Sequence, residues 1–216
     1  MPKGFIFDLD GVIVDRAKYH FKAWQSLAKN LQYNFTEQDN EQFKGVSRVR
    51  SLELLLEMAQ YKATQKEKAQ WLTEKNDHYL SLISNMNASE ILPGITEILT
   101  ALKAQKIPIA LGSASKNAKP ILEKVGLLSY FDVLVDGNGV AKAKPDPEVF
   151  LTAAKGLGVA PENCVVFEDA LAGVAAAKAA QMVCVAIGDP VILFKADHCF
   201  ASTAEISPSF VQSLIA

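Results

Sequence analysis

Residues 4–12 read GFIFDLDGV: an apolar run, Phe5 to Phe7, ending on two carboxylates two residues apart, Asp8 and Asp10, then Gly11. A short apolar run without polar alternation is the pattern of a strand buried on both faces. Four later runs share it: Ile107 to Leu111, Val133 to Val135, Cys164 to Phe167 and Val183 to Ile187. Helical segments separate the later runs, such as Asn117 to Val125 closed by Gly126, and Glu148 to Ala154 entered through Pro145 and Pro147. This alternation predicts an α/β fold built on a parallel sheet.

The first run is separated from the second by about 90 residues of almost purely helical pattern, far more than a usual βα connection. An inserted domain is expected there. Ala17, His20, Phe21, Trp24, Leu27, Ala28 and Leu31 recur at helical spacing, and Leu52 to Met58 and Trp71 to Ile83 are further amphipathic pieces. Residues 16–87 are therefore expected to form a four-helix cap, inserted into a doubly wound, Rossmann-like core of residues 1–15 and 88–216. The hinges would lie near Asp15 and Arg16 and from Asn87 to Gly94.

Half of the 216 residues are hydrophobic, enough for a substantial core, and 22 Lys and Arg against 24 Asp and Glu leave a net charge of −2. No block of like charge suggests a nucleic-acid or anionic-membrane partner. The three cysteines, Cys164, Cys184 and Cys199, are widely spaced and form no C-x-x-C, which fits reduced thiols in a cytoplasm. The N-terminus enters a strand at once, without the pattern of a secretory leader, and no apolar stretch reaches the ~18 residues of a membrane span.

In open parallel sheets ligands bind beyond the carboxyl ends of the strands, so the residues directly after each apolar run matter most. Asp8 and Asp10 follow the first run, Ser113 follows IPIALG, Lys144 opens KAKPDPEVF, and Glu168 with Asp169 follows CVVF. Four carboxylates, a hydroxyl and an ammonium can surround one hard cation and one phosphoryl group, whose negative charge must be offset before a carboxylate can approach it. Each also has an ordinary explanation. An Asp-x-Asp is often a turn, an acidic pair before a helix complements its dipole, Ser113 could be an N-cap, and a lone lysine is usually solvated.

FDLDGV, SASKN, KPDPEVF and VFEDALAG together resemble the four motifs of the haloacid dehalogenase superfamily, over the whole chain apart from the last 25 or so residues. AKYHFKAW at 17–24, KGVSR at 44–48 and KNDHY at 75–79 resemble its β-phosphoglucomutase branch. The resemblance implies an aspartyl-phosphate enzyme: Asp8 as nucleophile, and Asp10 as general acid and base with a pKa raised above that of a depressed Asp8. It further implies Mg²⁺ held by Asp8, the main-chain carbonyl of Asp10, Asp169 and Glu168, and a phosphoryl group gripped by Ser113 and Lys144. His20 would assist Asp10, although a lone His on an apolar stripe is usually a satisfied core residue. Arg48 would hold the substrate's distal phosphate. Trp24, Lys44, Gly45, Ser47, Lys75, Ala114, Ser115, Lys116 and Asn117 would line the sugar pocket or the closing interface. For Arg48 and Lys75 a solvated helix face is the bland alternative.

The implied reaction converts β-glucose 1-phosphate to glucose 6-phosphate through a bound β-glucose 1,6-bisphosphate, and the resemblance further implies a cytoplasmic monomer whose partner is a small sugar phosphate. The four core motifs leave a sugar-phosphate phosphatase open, and a phosphonate-cleaving relative would need a Schiff-base lysine, for which Lys44 and Lys75 are available; a signalling receiver domain is disfavoured, because the candidate nucleophile lies on the first strand, the second acidic pair lies late and an inserted helical domain would have no purpose there. The chain departs from the resemblance in three places, one being the tail after Asp189, which is expected only to finish the sheet edge and add a last helix. Arg16 stands where the mutases usually carry Thr, and Ala170 and Leu171 stand where Ser and a polar residue are common.

Overall fold

A computed structural model describes residues 3–215; Met1, Pro2 and Ala216, at the outer ends of the expected core segments, lie outside the described residues. Six strands form one parallel sheet: β1 (Gly4–Phe7), β2 (Ile109–Gly112), β3 (Val133–Val135), β4 (Cys164–Glu168), β5 (Val183–Ile187) and β6 (His198–Phe200). Their order is β3-β2-β1-β4-β5-β6, and every pairing is parallel. The order runs outward in both directions from β1, so the chain reverses its direction of travel beside β1 and β4. That switch point is where a crevice opens at the strand ends.

The sheet is sandwiched because its strands are apolar on both faces. Phe5 and Phe7 join a core with α5 (Ile95–Ala104), α6 (Ala118–Lys124) and α9 (Pro208–Ile215). Ile6, one residue out of phase, joins the opposite core with α7 (Glu148–Leu157) and α8 (Leu171–Ala179). The expected elements are present with shifted ends. The run at 107–111 pairs only from Ile109, since Pro108 has no N–H to give the ladder, although its carbonyl still accepts from Phe5. α7 runs on to Leu157 and stops at left-handed Gly158. α5 lies beyond the expected hinge, in the core segment, where the sequence reading named no helix, and the weakly matching tail supplies β6 at the sheet edge and α9.

Between β1 and β2 four helices precede α5: α1 (Ala17–Asn30), α2 (Glu37–Glu41), α3 (Arg48–Met58) and α4 (Gln65–Leu82). They have a core of their own, with Trp24, Leu27, Phe35, Phe43, Leu52 and Leu55 buried together. The two connections back to the sheet lie side by side. Val14 bridges Ile91, Leu92 N donates to Ile13 O at 3.0 Å, and Asp15 N donates to Glu90 O at 3.1 Å.

Candidate active site

The polar residues after β1, β2 and β4 converge because neighbouring parallel strands end at the same edge. Asp8 N donates to Phe167 O at 2.9 Å, which extends the β1–β4 ladder and carries Asp8 to the mouth of the switch point. Beyond it Asp10 N donates back to Asp8 Oδ2 at 2.9 Å. Gly11 then turns the chain with φ +70°, and a Cβ there would overlap the Asp169 carboxylate. Only glycine allows both the turn and the close approach.

Lys144 is buried and donates to Asp8 Oδ1 at 2.6 Å and to Glu168 Oε2 at 3.0 Å. Burial alone would lower its pKa, but the two carboxylates overcome that and hold it above the usual range. One ammonium does not balance the site. The carboxylate oxygens of Asp8, Glu168 and Asp169 lie within 4.8 Å of one another. Burial, only partly offset by Lys144 and reinforced by Asp8, pushes Glu168 up to about 8. Asp169 is raised well above the carboxylate range by burial, then by Glu168 and Asp8. An all-oxygen, electron-rich cluster short of positive charge fits a hard divalent cation.

Ser113 is buried, and its Oγ accepts from Ser115 N at 3.1 Å. It therefore closes a turn and does not cap α6, whose N-cap is Asn117. Ser115 Oγ accepts from Asn117 N at 3.2 Å, and Asn117 Nδ2 donates across the cavity to Asn76 Oδ1 of α4 at 3.0 Å.

On the helical side Lys75 is buried under two rings, with Nζ 4.6 Å from the Trp24 centroid and 5.0 Å from that of Tyr79. Burial, followed by the charges of Arg48 and Arg16, lowers its pKa to about 7. It is not a solvated lysine. Its Nζ lies 3.1 Å from His20 Nδ1. Burial and the cations Lys75, Arg16 and Arg48 hold His20 well below its usual range, so the ring is neutral. With Nδ1 facing a donor, the ring proton belongs on Nε2, which lies 3.9 Å from Asp10 Oδ2. Arg48 opens α3 beside its N-cap Ser47, whose hydroxyl accepts from Arg50 N at 3.3 Å. Lys44 pairs with Glu41 at 2.8 Å. Gly45, at φ +71°, sits so close to the loop after β4 that a Cβ would come 2.7 Å from the Ala170 Cβ.

These two sides enclose one cavity of about 680 Å³. Asp8, Asp10, His20, Trp24, Lys44, Gly45, Ser47, Arg48, Lys75, Ser113, Ala114, Ser115, Lys116, Asn117, Lys144 and Asp169 all line it. Glu168 is the exception: it is wholly buried behind Lys144. A model of the haloacid dehalogenase-like hydrolases matches residues 2–181. The chain belongs to the haloacid dehalogenase-like hydrolases.

Within these hydrolases the chain is similar to the β-phosphoglucomutase of Bacillus subtilis (strain 168), 42% identical over 207 residues that cover 95% of this chain and 92% of that protein. The crystal structure of β-phosphoglucomutase from Clostridium difficile matches it with a TM-score of 0.95 and 41% identity, over 100% of this chain and 97% of that one. A phosphorylated carbohydrates phosphatase of Thermotoga maritima is 33% identical over 177 residues, covering 81% of this chain and 80% of that protein.

Of the residues at the site that the sequence of this haloacid dehalogenase-like chain does not single out, three make polar contacts with its charged groups or across its cavity. Asn76 and Tyr79 fall inside the quoted KNDHY, one helical turn apart on α4, and both line the cavity. The third is Arg16, read only as a departure. It is fully buried, with Nη2 donating to Asp10 Oδ2 at 2.6 Å, Nε 2.6 Å from Oδ1, and Nη1 donating to the Tyr79 hydroxyl. Burial raises the pKa of Asp10 most, the Arg16 charge offsets part of this, and Asp8 adds to it. The Tyr79 ring in turn stacks on His20, with centroids 4.4 Å apart.

Proposed function

We propose that this enzyme is a β-phosphoglucomutase that converts β-glucose 1-phosphate to glucose 6-phosphate through an aspartyl phosphate on Asp8 and a bound β-glucose 1,6-bisphosphate. The observation that carries the reading is a cavity with cationic groups at both ends: Lys144 beside Asp8 on the sheet side, Lys75 and Arg48 on the helical side. A substrate with one phosphate needs one such end, whereas a bisphosphate needs two. The similarity to β-phosphoglucomutases over nearly the whole chain supports the same choice.

In this reading Asp8 attacks phosphorus while Lys144 and Ser113 hold the phosphoryl oxygens, and Arg48 and Lys75 bind the distal phosphate. Asp10 protonates the departing sugar oxygen and later takes the proton of the incoming hydroxyl, a task suited by a raised pKa. His20 presents Nε2–H towards Asp10 and steadies its charge. Asp8, Asp169, the main-chain carbonyl of Asp10 and the supporting Glu168 would hold Mg²⁺, which when bound supplies charge to offset the phosphoryl oxygens. Residues 16–87 act as a cap that keeps water from the site, hinged on residues 1–15 and 88–216. Trp24, Lys44, Gly45, Ser47, Ala114, Ser115, Lys116 and Asn117 shape the pocket and the closing interface.

The protein acts as a cytoplasmic monomer on a small sugar phosphate. Support comes from three unbridged thiols, and from the fact that among the described residues no helix is long and apolar enough to cross a membrane. The test is incubation with β-glucose 1-phosphate, Mg²⁺ and a trace of bisphosphate. Glucose 6-phosphate should accumulate without inorganic phosphate. Stoichiometric phosphate release would assign the protein instead to the sugar-phosphate phosphatases, the activity named for the Thermotoga relative.

A further inference from the structure

Lys116 lines the cavity, yet it stands on the loop between β2 and α6, outside any regular element. Two hydroxyls brace that loop from within: Ser113 Oγ accepts from Ser115 N, and Ser115 Oγ accepts from Asn117 N. A second loop, which leaves β3 at the same edge of the sheet, braces it from without. Gly137 N donates to Ser115 O at 3.3 Å, and Asn138 Nδ2 donates to Lys116 O at 3.1 Å. Gly137 comes so near that a Cβ there would overlap Ala114 O and lie 3.1 Å from Lys116 Cγ. Three successive carbonyls, those of Ala114, Ser115 and Lys116, thus lie against the loop after β3.

The contact has an electrostatic consequence. A carbonyl oxygen turned towards a phosphate repels it, whereas an N–H attracts it. In a trans peptide the C=O and the following N–H point in opposite directions, so holding Ser115 O against Gly137 turns Lys116 N the other way. That N–H donates to no protein group among the described residues. The hold depends on which end of the Asn138 amide faces Lys116. Its neighbours there are acceptors: Lys116 O, and Asp136 Oδ2 at 3.1 Å, while Asp136 Oδ1 takes the Asn138 N–H at 2.8 Å. Only the NH2 end, with two protons, satisfies both.

We propose that Asn138 is a positioning residue that, by donating to Lys116 O, holds the loop of residues 113–117 in the conformation that binds a sugar phosphate, so that the Gly137-Asn138 pair sets the affinity for that substrate. The inference rests on the sugar-phosphate reading above. Ser113 is anchored separately, its N donating to Val135 O at 2.9 Å, so the grip on the transferring phosphoryl group does not depend on Asn138.

The test uses the full chain with Mg²⁺ and a trace of bisphosphate. It reads kcat and KM for consumption of β-glucose 1-phosphate, and the hydrolysis of p-nitrophenyl phosphate, which has no sugar to place. Asn138→Asp keeps the size of the side chain but turns only acceptors towards Lys116 O and Asp136. It should raise KM for β-glucose 1-phosphate about fivefold, the scale of one hydrogen bond, and leave kcat and the hydrolysis of p-nitrophenyl phosphate near wild type. Asn138→Ala, which loses the donor without adding repulsion, should raise KM about threefold. A side chain that merely fills space predicts a wild-type KM in Asn138→Asp, and that result overturns the proposal. A role confined to folding would lower kcat for both substrates together and leave KM unmoved, which overturns it equally. If Asn138→Asp fails to fold, an unmoved KM in Asn138→Ala decides against it. Wild-type protein that releases phosphate and forms no glucose 6-phosphate overturns the mutase reading alone, since the KM comparison still decides the role of Asn138; wild-type protein inert towards β-glucose 1-phosphate overturns both.

Discussion

At the scale of single residues, the site is a set of charges placed where their neighbours decide their use. Asp8 and Asp10 are chemically identical and two residues apart, yet one faces Lys144 and the other Arg16. Replacing Asp8 with Asn should abolish both isomerisation and phosphate release, because the amide is not a nucleophile. Arg48→Ala should impair isomerisation by at least about tenfold, the usual worth of a phosphate contact, while sparing hydrolysis of a small phosphate ester more. Equal loss of both activities would remove Arg48 from the distal site. Lys75 makes a different prediction, because it is buried without a carboxylate ion pair among the described residues. Its folded pKa of about 7 lies below the ordinary 10.5, so the fold carries the full cost of its charge below pH 7. That cost fades as pH rises from about 7 towards 10.5. Lys75→Met should therefore raise the melting temperature at pH 7, raise it less at pH 9, and weaken binding of sugar phosphates at either pH. Thermal scans at the two pH values with a binding titration check it.

At the scale of elements, most candidate functional side chains are delivered by an element end or the loop after it, with α1, which carries His20 and Trp24, and α4 as the exceptions. Asp8, Ser113 and Glu168 mark the carboxyl ends of β1, β2 and β4. Arg48 is the first residue of α3, while Lys75 and Tyr79 lie one turn apart inside α4. The loop that leads into α3 rests on the loop after β4 through Gly45 and Ala170. Gly45→Ala should hold these loops apart, since the new Cβ meets Ala170 and the left-handed backbone disfavours a side chain. Isomerisation, which needs the cavity closed, should fall more than hydrolysis of a small ester. A parallel fall in both would place the defect in folding, and circular dichroism would tell the two apart.

At the scale of the whole molecule, a sheet and a helical insertion meet over a cluster of like charges. The three carboxylates repel one another, so the apo protein should be stabilised by Mg²⁺ in proportion to its saturation, by about 2.7 kcal/mol at a hundred times the dissociation constant. The melting temperature should rise with Mg²⁺, return on chelation, and respond far less in Asp169→Asn. An unchanged response in that variant would move the cation elsewhere.

The α/β class, the parallel sheet and the insertion were legible in the sequence, because strands buried on both faces must be apolar throughout and helices keep a 3.6-residue period whatever surrounds them. The convergence of the polar loops was legible too, since the residues that follow an apolar strand fall at one edge of the sheet. The boundary of β2 at Ile109 and the places of Asn76 and Tyr79 in the cavity were not, because each depends on what lies across space. Arg16 shows the difference best. Local sequence records a charge beside a hinge; only the folded chain, by bringing Asp10 and Tyr79 to the two sides of its guanidinium, decides that the charge is buried and paired with the carboxylate it touches.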